Sequence, residues 1–305
     1  MLVNKSVLQN IFTNLKATYN KAFKGRETTW QKIAMKVTST SSQNDYAWLS
    51  KFPKMRKWVG EKNVKSLAAQ KYTIVNDDYE ATVEVDRNDI EDDNIGIYGP
   101  QAMAAGESAA ELPDDIVNQL LINGHKERCF DGQYFFDTDH PSFDENGDEI
   151  TVSNSGYLEL STETLAKAQN GYGATRTAMQ QTKDEEGRSL GVKPNLLVVG
   201  PALEDTARAL LTVDRLEDGK PNPYKGTAEL LVITDIQDTS WFLFDTTRPV
   251  KPFIYQERKA PDFVSQTDMN ADDVFTRRKY KFGAEARAAG GYGFWQLAYR
   301  NKYVV

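Results

Sequence analysis

Residues 193–211 of this 305-residue chain read KPNLLVVGPALEDTARALL and predict a short strand followed by a helix. The continuous aliphatic run 196–199 is typical of a buried strand. Pro201 suits the first turn of a helix, where its missing N–H is not needed. Residues 222–235, NPYKGTAELLVITD, supply a second strand, so the stretch 155–240 predicts a compact α/β unit.

Two helices are predicted on the N-terminal side of this unit. Apolar residues recur at helical spacing near the start of the chain, so residues 4–23 predict an amphipathic helix with lysines on its polar side. Residues 100–129 are rich in Ala, Leu, Ile and Glu and predict a long helix, which Pro113 either kinks or divides in two. His125 and Cys129 would then share one face near the end of that helix.

The sequence between the two helices predicts a linker, a basic loop and a hairpin. The polar run TSTSSQND, residues 38–45, predicts a flexible linker. Residues 71–76 and 79–86, KYTIVN and YEATVEVD, predict two strands paired as a hairpin. Residues 52–70 mix five Lys or Arg with Phe, Met and Trp and cannot easily bury themselves. We therefore expect this basic segment to project and to pack on another surface.

The C-terminal part of the chain is predicted to be rich in strands. The segments WFLFD, PFIYQE, DFVSQT, VFTRRKYKF and YGFWQLAYR, all between residues 241 and 300, are rich in aromatic residues. No internal repeat is evident. The length corresponds to one large domain or two small ones.

Charge is distributed unevenly along the chain, although the total is only −7. Residues 1–71 carry fourteen Lys or Arg and three acids, a net +11, and the remainder carries −18. Such a difference indicates an interaction arm, whose partner is either nucleic acid or the acidic part of another copy. A second copy is favoured because the acidic remainder would repel phosphate. A solvated basic face without a partner is the remaining interpretation.

Composition and motifs argue against most catalytic classes. A single Cys rules out an internal disulfide framework or a thiolate zinc site. The longest aliphatic runs are far shorter than the about 20 residues of a membrane helix. No phosphate-binding loop and no nucleophile elbow is present. The sequence therefore predicts neither an enzyme nor a cofactor-binding protein.

Two sets of residues could bind a metal, and neither is convincing. His125 and Cys129 lie four residues apart but lack a third His or Cys ligand. Asp137, Asp139 and His140 could bind a divalent cation in a metal-assisted hydrolase, although a capped turn before the following proline explains them better. We therefore predict no metal site.

The sequence resembles the major head subunits of Mu-like tailed phages, the gpT family. In addition to the two stretches quoted first, the resemblance rests on WLSKFPKMRKWVGEK (48–62), YEATVEVDRNDIEDDNIGIYGP (79–100), CFDGQYFFDTDHP (129–141), WFLFDTTRPVKPFIYQERKAPDFVSQTD (241–268) and VFTRRKYKFGAEARAAGGYGFWQLAYR (274–300). These segments occur in family order over most of the chain, and several have unusual composition.

The resemblance implies an α+β chain with the Hong Kong 97-like phage capsid fold. Its expected parts are an N-terminal arm (1–48), an extended hairpin loop (49–88), a peripheral domain with a long spine helix (89–154), an axial α/β domain (155–249) and return strands of the peripheral domain (250–305). The resemblance also implies a capsid protein that assembles into hexamers and pentamers of an icosahedral head around double-stranded DNA. An encapsulin-like cellular compartment shares this architecture and is the alternative.

The same resemblance implies partners but no cofactor and no membrane. We expect the subunit to bind copies of itself, a portal, a decoration protein and, without specificity, packaged DNA. Because the chain begins at an arm-like helix, we expect the scaffolding protein and maturation protease to be separate chains. The protein would reside in the virion after assembly in the host cytoplasm.

Contacts between subunits are expected where the basic loop of one copy meets acids of the next. The residues predicted to make them are Lys51, Phe52, Lys54, Met55, Arg56, Lys57, Trp58, Lys62 and Lys65 on the loop, and Asp77, Asp78, Glu80, Asp89, Glu91, Asp92 and Asp93 on the neighbour. A second acidic set, Glu107, Glu111, Asp114 and Asp115, is the alternative target. Exposed ion pairs contribute only about 0–1 kcal/mol each, so apolar anchors should carry much of the contact.

Overall fold

The computed structural model describes residues 5–50, 72–92, 95–144, 148–184, 187–266, 268 and 272–303. Its α-helices are α1 (Lys5–Gly25), α2 (Arg87–Glu91), α3 (Tyr98–Asn123), α4 (Leu165–Ala168), α5 (Ala174–Gln180), α6 (Glu204–Thr212) and α7 (Asp272–Arg277). Its strands are β1 (Ala34–Thr38), β2 (Gln43–Asp45), β3 (Thr73–Val75), β4 (Asp77–Asp86), β5 (His140–Phe143), β6 (Glu149–Val152), β7 (Ser155–Gly156), β8 (Leu196–Val199), β9 (Glu229–Val232), β10 (Ser240–Phe244), β11 (Phe253–Gln266), β12 (Lys279–Tyr292) and β13 (Ala298–Lys302).

A four-stranded sheet in the order β1-β11-β12-β4 forms one half of the molecule. Strands β11 and β12 are antiparallel and 14 residues long, and β4 pairs with β12 along its whole length. The sequence predicted two strands within residues 253–266, but the structure contains one strand with irregular pairing near Lys259. Such irregularities bend a strand without ending it.

A five-stranded sheet in the order β7-β13-β10-β8-β9 forms the other half. Strands β8 and β9 are parallel, and helix α6 lies between them in the chain, which confirms the predicted strand–helix–strand unit. All four residues of β8 are buried, as its continuous aliphatic run requires. Strand β13 also belongs to this sheet. The final strand therefore lies in a different sheet from β11 and β12.

Aromatic residues after α3 join the two sheets into one core. Phe135 stacks on Tyr292 of β12, with 4.7 Å between ring centroids, and contacts Phe253 of β11. The adjacent Phe136 packs on Phe242 of β10 at 5.4 Å. Because neighbouring residues contact different sheets, this segment fixes how the two halves meet.

Helices α1 and α3 cover one face of the four-stranded sheet. The apolar stripe of α1, which includes Leu8, Phe12 and Leu15, is buried against α3 and strands β4, β11 and β12. Helix α1 spans Lys5–Gly25, which confirms the predicted amphipathic helix. Its apolar face is therefore occupied by its own chain.

The structure differs from the sequence prediction at the end of α3. The helix is continuous through Pro113, so the division into two helices was wrong, and it ends at Asn123. His125 and Cys129 follow the helix and do not share a helical face, contrary to the prediction. Gly124 lies at the C-cap with φ −57°, and the ring of Phe136 packs where a Cβ atom would otherwise lie.

The predicted hairpin of residues 71–76 and 79–86 was also wrong. Strand β3 pairs with β2, whereas β4 pairs with β12, more than 190 residues away along the chain. The predicted flexible linker at 38–45 contains the end of β1 and all of β2. Segment 272–277 forms α7, although a strand was predicted there. Short local patterns did not reveal these partners because pairing depends on distant strands.

Candidate subunit interface

The basic side of the predicted subunit contact lies outside the described residues. This applies to Lys51, Phe52, Lys54, Met55, Arg56, Lys57, Trp58, Lys62 and Lys65. Before this segment, residues 51–71, come β2 and a short 3-10 helix, Ala47–Ser50, and after it come Tyr72 and β3, which pairs antiparallel with β2. The backbone N–H of Tyr46 donates to the carbonyl oxygen of Tyr72 at 2.7 Å, and Tyr46 and Leu49 are buried in the core. The role of segment 51–71 in subunit contact stays a prediction.

Acids on β4 lie on an edge strand and pair partly with their own chain. Asp78 forms an ion pair with Arg287 of β12, and Glu84 forms another with Lys279 at 2.7 Å. Glu80 accepts a hydrogen bond from Thr82. Charged side chains are a common means of protecting an exposed edge strand from aggregation. A neighbour would have to share these acids with β12.

The acids around α2 organise the local chain. Asp86 accepts a hydrogen bond from the backbone N–H of Asn88 at 2.8 Å and caps this helix. The hydroxyl of Tyr98 donates to Asp89 at 2.6 Å, and Arg87 pairs with Glu91 at 2.9 Å. Asp92 is exposed, and Asp93 lies outside the described residues.

The acids of the alternative set on α3 differ in whether they already bind groups of their own chain. Asp114 accepts hydrogen bonds from the backbone N–H groups of Thr29 at 2.9 Å and Trp30 at 2.7 Å, and Glu111 pairs with Arg26. These two acids tie the chain after α1 to α3. The side chain of Asp115 is exposed overall. Its pKa is raised, mainly because neighbouring atoms remove part of its water and also because nearby carboxylates repel its charge.

Replacing Asp114 with Ala should destabilise the unassembled subunit. The change leaves two backbone donors without their acceptor, so we expect a loss of about 1–2 kcal/mol in the free energy of unfolding. The matched change Asp115→Ala should cost less than about 0.5 kcal/mol because that side chain is exposed. Urea denaturation of the three proteins measures both effects, and equal stability of the two variants would contradict the assignment.

A cluster of buried residues at the junction of the two sheets contains the side chains that are most able to take part in a chemical reaction. We call Cys129, Asp131, His140, Asn154 and Trp295 the buried network. His140 is fully buried, and its Nδ1 lies 2.7 Å from Asp131 Oδ2. Its Nε2 lies 3.2 Å from Asn154 Oδ1, and its ring stacks on Trp295 with 4.0 Å between centroids.

Hydrogen bonds determine how the side chains of this network are oriented. The Asn154 amide nitrogen donates to the carbonyl oxygens of Phe135 and Trp295, so its oxygen must face His140. The two nitrogens of the His140 ring therefore face the oxygen atoms Asp131 Oδ2 and Asn154 Oδ1. Burial alone would raise the pKa of Asp131, but hydrogen bonds and attraction from His140 lower it below its usual value.

The network resembles neither a catalytic triad nor a loaded metal site. The Cys129 thiol donates to Asp131 at 3.0 Å, and burial raises its pKa, so the thiol is a poor nucleophile. Cys129, Asp131 and His140 are close enough to bind one metal ion. Asp131 already forms hydrogen bonds with both Cys129 and His140, and no fourth His, Cys, Asp or Glu joins the group among the described residues.

Sequence reasoning found His140 and Cys129 but assigned them different neighbours. Asp137 accepts from the backbone N–H groups of Tyr134 and Thr138, as expected for a capped turn, and Asp139 is exposed. The partner of His140 is Asp131, which the sequence analysis did not consider. Gly132, at φ 88°, marks a tight turn next to Asp131 and is the signal that could have revealed it.

No helix within the described ranges is both long and apolar enough to cross a membrane. The chain matches the family model of the Mu-like prophage major head subunit gpT over residues 8–162, 158–236 and 232–305. It is 30% identical to the major capsid protein of Escherichia phage Mu over 298 residues, 98% of this chain and 74% of that protein. It is 29% identical over 300 residues to the Mu-like prophage FluMu major head subunit of Haemophilus influenzae, with the same coverage.

The fold is also similar to that of a capsid subunit in a solved shell. The procapsid of bacteriophage JBD30 contains a chain with a TM-score of 0.63 and 30% identity, covering 99% of this chain and 77% of that one. The mixed helix and sheet fold is thus that of a phage capsid protein. The chain belongs to the Mu-like prophage major head subunit gpT family. The curated relatives are named as a major capsid protein and a major head subunit, which are structural components of the phage head.

Proposed function

We propose that this head subunit assembles into hexamers and pentamers of an icosahedral shell that encloses double-stranded DNA. The observation that carries the proposal is the likeness to the JBD30 procapsid subunit over 99% of the chain. Electron microscopy of the expressed protein, with and without its scaffolding protein, tests it. Closed shells or capsomers support the proposal, whereas a persistent monomer contradicts it.

The described elements support an assignment of the parts of a Hong Kong 97-like subunit. Helix α3 is 26 residues long and would be the spine of the peripheral domain, with the four-stranded sheet beside it. The five-stranded sheet would form the axial domain. The burial of Tyr46 and Leu49 and the pairing of β2 with β3 support an extended loop that begins after Ser50 and ends before Tyr72 rather than at residue 88.

The N-terminal arm of residues 1–48 would contact a neighbour through its polar side. The apolar face of α1 is buried in its own chain, whereas Lys21 and Lys24 are exposed. A scaffolding protein, a maturation protease, a portal and a decoration protein would be further partners as separate chains. DNA contacts should be weak because the chain carries a net charge of −7.

The basic loop of one subunit would bind acids on the next. Residues 51–65 carry six Lys or Arg and one acid, while residues 72–115 carry thirteen acids and one base. Among the acids, Asp77 and Asp92 are exposed and form none of the ion pairs found within the described part of the chain. Small contacts of this kind become decisive because a shell repeats them in every subunit.

Replacing Lys54, Arg56 and Lys57 with Glu should abolish shell formation and leave the subunit folded. The change reverses the charge that faces the acidic neighbour, and like charges in contact are repulsive. Sedimentation measures assembly, and circular dichroism measures folding. The control variant Lys54→Arg, Arg56→Lys, Lys57→Arg keeps the charge and should assemble. Normal shells from the triple Glu variant would contradict the loop contact.

A further inference from the structure

A groove separates the last turns of α3 from the segment that leads into β10. It contains two adjoining pockets of about 200 Å³ and about 350 Å³, which share Ile122 and Asp235. Ile122, Ile236 and Phe242 provide apolar surface, and charged side chains lie toward the two ends. We call this feature the groove.

Arg300 lies at one end of the groove, where Asp238 attracts it without forming an ion pair with it. Burial lowers the pKa of its guanidinium, and its side chain donates to Ser240 Oγ at a long 3.4 Å. The nearby Asp238 is already engaged by Lys302 at 2.8 Å and by the backbone N–H of Ser240 at 2.9 Å. Within the part of the chain that the structure describes, Arg300 forms no ion pair. A half-buried guanidinium usually has a carboxylate, because the loss of water is otherwise uncompensated.

The other end of the groove has the opposite charge. Asp115 and Asp235 both line it, and Asp235 accepts a hydrogen bond from the side-chain amide of Asn118 at 2.8 Å. Burial and the charge of Asp235 together raise the pKa of Asp115. An ammonium or guanidinium group placed here would relieve that repulsion.

We propose that the groove is a docking surface for a second copy of this chain, whose carboxylate binds Arg300 and whose cationic side chain binds between Asp115 and Asp235. A second copy is the fitting occupant because the chain belongs to a family of head subunits and its fold matches a chain of the JBD30 procapsid. The bidentate geometry of Arg favours a carboxylate over a neutral acceptor. This proposal rests on the proposed shell assembly, and its Arg300 contact is separate from the basic loop, whose alternative targets include Asp115.

Assembly of the full-length protein with Arg300→Gln tests the proposal. Losing a desolvated ion pair at an interface should raise the subunit concentration needed for shell formation by about tenfold or more. Arg300→Lys keeps the positive charge but lacks the two parallel N–H donors of the guanidinium, so it should raise the subunit concentration needed for shell formation by a smaller factor. Asp115→Lys, at the opposite end, should weaken assembly, whereas Asp205→Lys on the exposed surface of α6 makes the same charge change outside the groove and should not.

Hydrogen exchange provides a second readout that does not depend on any variant. The backbone amides of residues 235–240 should exchange at least about tenfold more slowly in wild-type shells than in unassembled subunits, because burial at an interface slows exchange. Unchanged exchange there, or assembly of Arg300→Gln at the wild-type concentration, would overturn the docking surface while leaving the shell proposal intact. Failure of the wild-type protein to assemble would instead contradict the shell proposal itself.

Discussion

The variant Asp131→Ala should lose about 3–5 kcal/mol of the free energy of unfolding, because it removes the carboxylate that pairs with the fully buried ring of His140. The same change removes the acceptor of the Cys129 thiol and of the Gln133 backbone N–H, both 3.0 Å away. Since domains are stable by only about 5–15 kcal/mol, the loss would be a large part of the total. Urea denaturation of the unassembled subunit measures it.

The exposed neighbour Asp139 offers a matched control for this measurement. Asp139→Asn should change the free energy of unfolding by less than about 0.5 kcal/mol, because the side chain is exposed. If Asp131→Ala does not fold, Asp131→Asn can be measured instead. It retains one acceptor oxygen, so its free energy of unfolding should lie between those of Asp131→Ala and Asp139→Asn. A stability of Asp131→Ala within about 1 kcal/mol of Asp139→Asn would contradict the network.

The pH dependence of stability should identify Asp131 separately. Its pKa in the folded protein is lower than in the unfolded chain, so its contribution is fully present above a pH of about 4. That contribution is lost as the pH falls through the folded pKa. The wild-type protein should therefore lose stability below pH 4 more steeply than Asp131→Asn, which has no carboxyl group to titrate.

The buried network also shows what the sequence could and could not predict. Its location depends on Phe135 and Phe136, which hold the turn between the two sheets, and neighbouring residues in a sequence do not indicate which sheet each will contact. The chemistry of Asp131 follows from a turn that brings it to His140, nine residues later. The four-residue spacing of His125 and Cys129 predicted that both lie on one face of α3, but α3 ends at Asn123, before either residue.

Elements with a strong local signal were predicted well. The continuous aliphatic run of β8 and the apolar stripe of α1 each specify one kind of element and one buried face. Strand β4 has an equally clear pattern, yet its partner β12 lies far along the chain, and alternation carries no information about the partner. The resemblance to a head subunit therefore conveyed the mixed helix and sheet fold class better than local patterns conveyed the strand pairing.

Helix α1 crosses α3 closely at Gly106, and a larger side chain at this position should strongly destabilise the subunit. A Cβ atom at Gly106 would collide with the backbone carbonyl oxygen of Tyr19, which cannot move independently of its helix. Gly106→Val should therefore push α1 away and expose Leu8, Phe12 and Leu15, each of which contributes about 1.5–3 kcal/mol when fully buried. We expect a loss of several kcal/mol in the free energy of unfolding, of the order that overpacking and lost burial give together.

Trypsin provides the most direct measurement, because Lys16 and Lys21 lie within α1 and are protected only while the helix stays folded against α3. Gly106→Val should be cleaved there much faster than the wild-type protein. Gly99→Ala is the matched control, since a Cβ on this other glycine of α3 meets no atom within 4 Å. It should leave cleavage unchanged and stabilise the helix by up to about 1 kcal/mol. Equal cleavage of both variants would show that α1 does not depend on this crossing, and the arm would then be free to bind a neighbour with its apolar face.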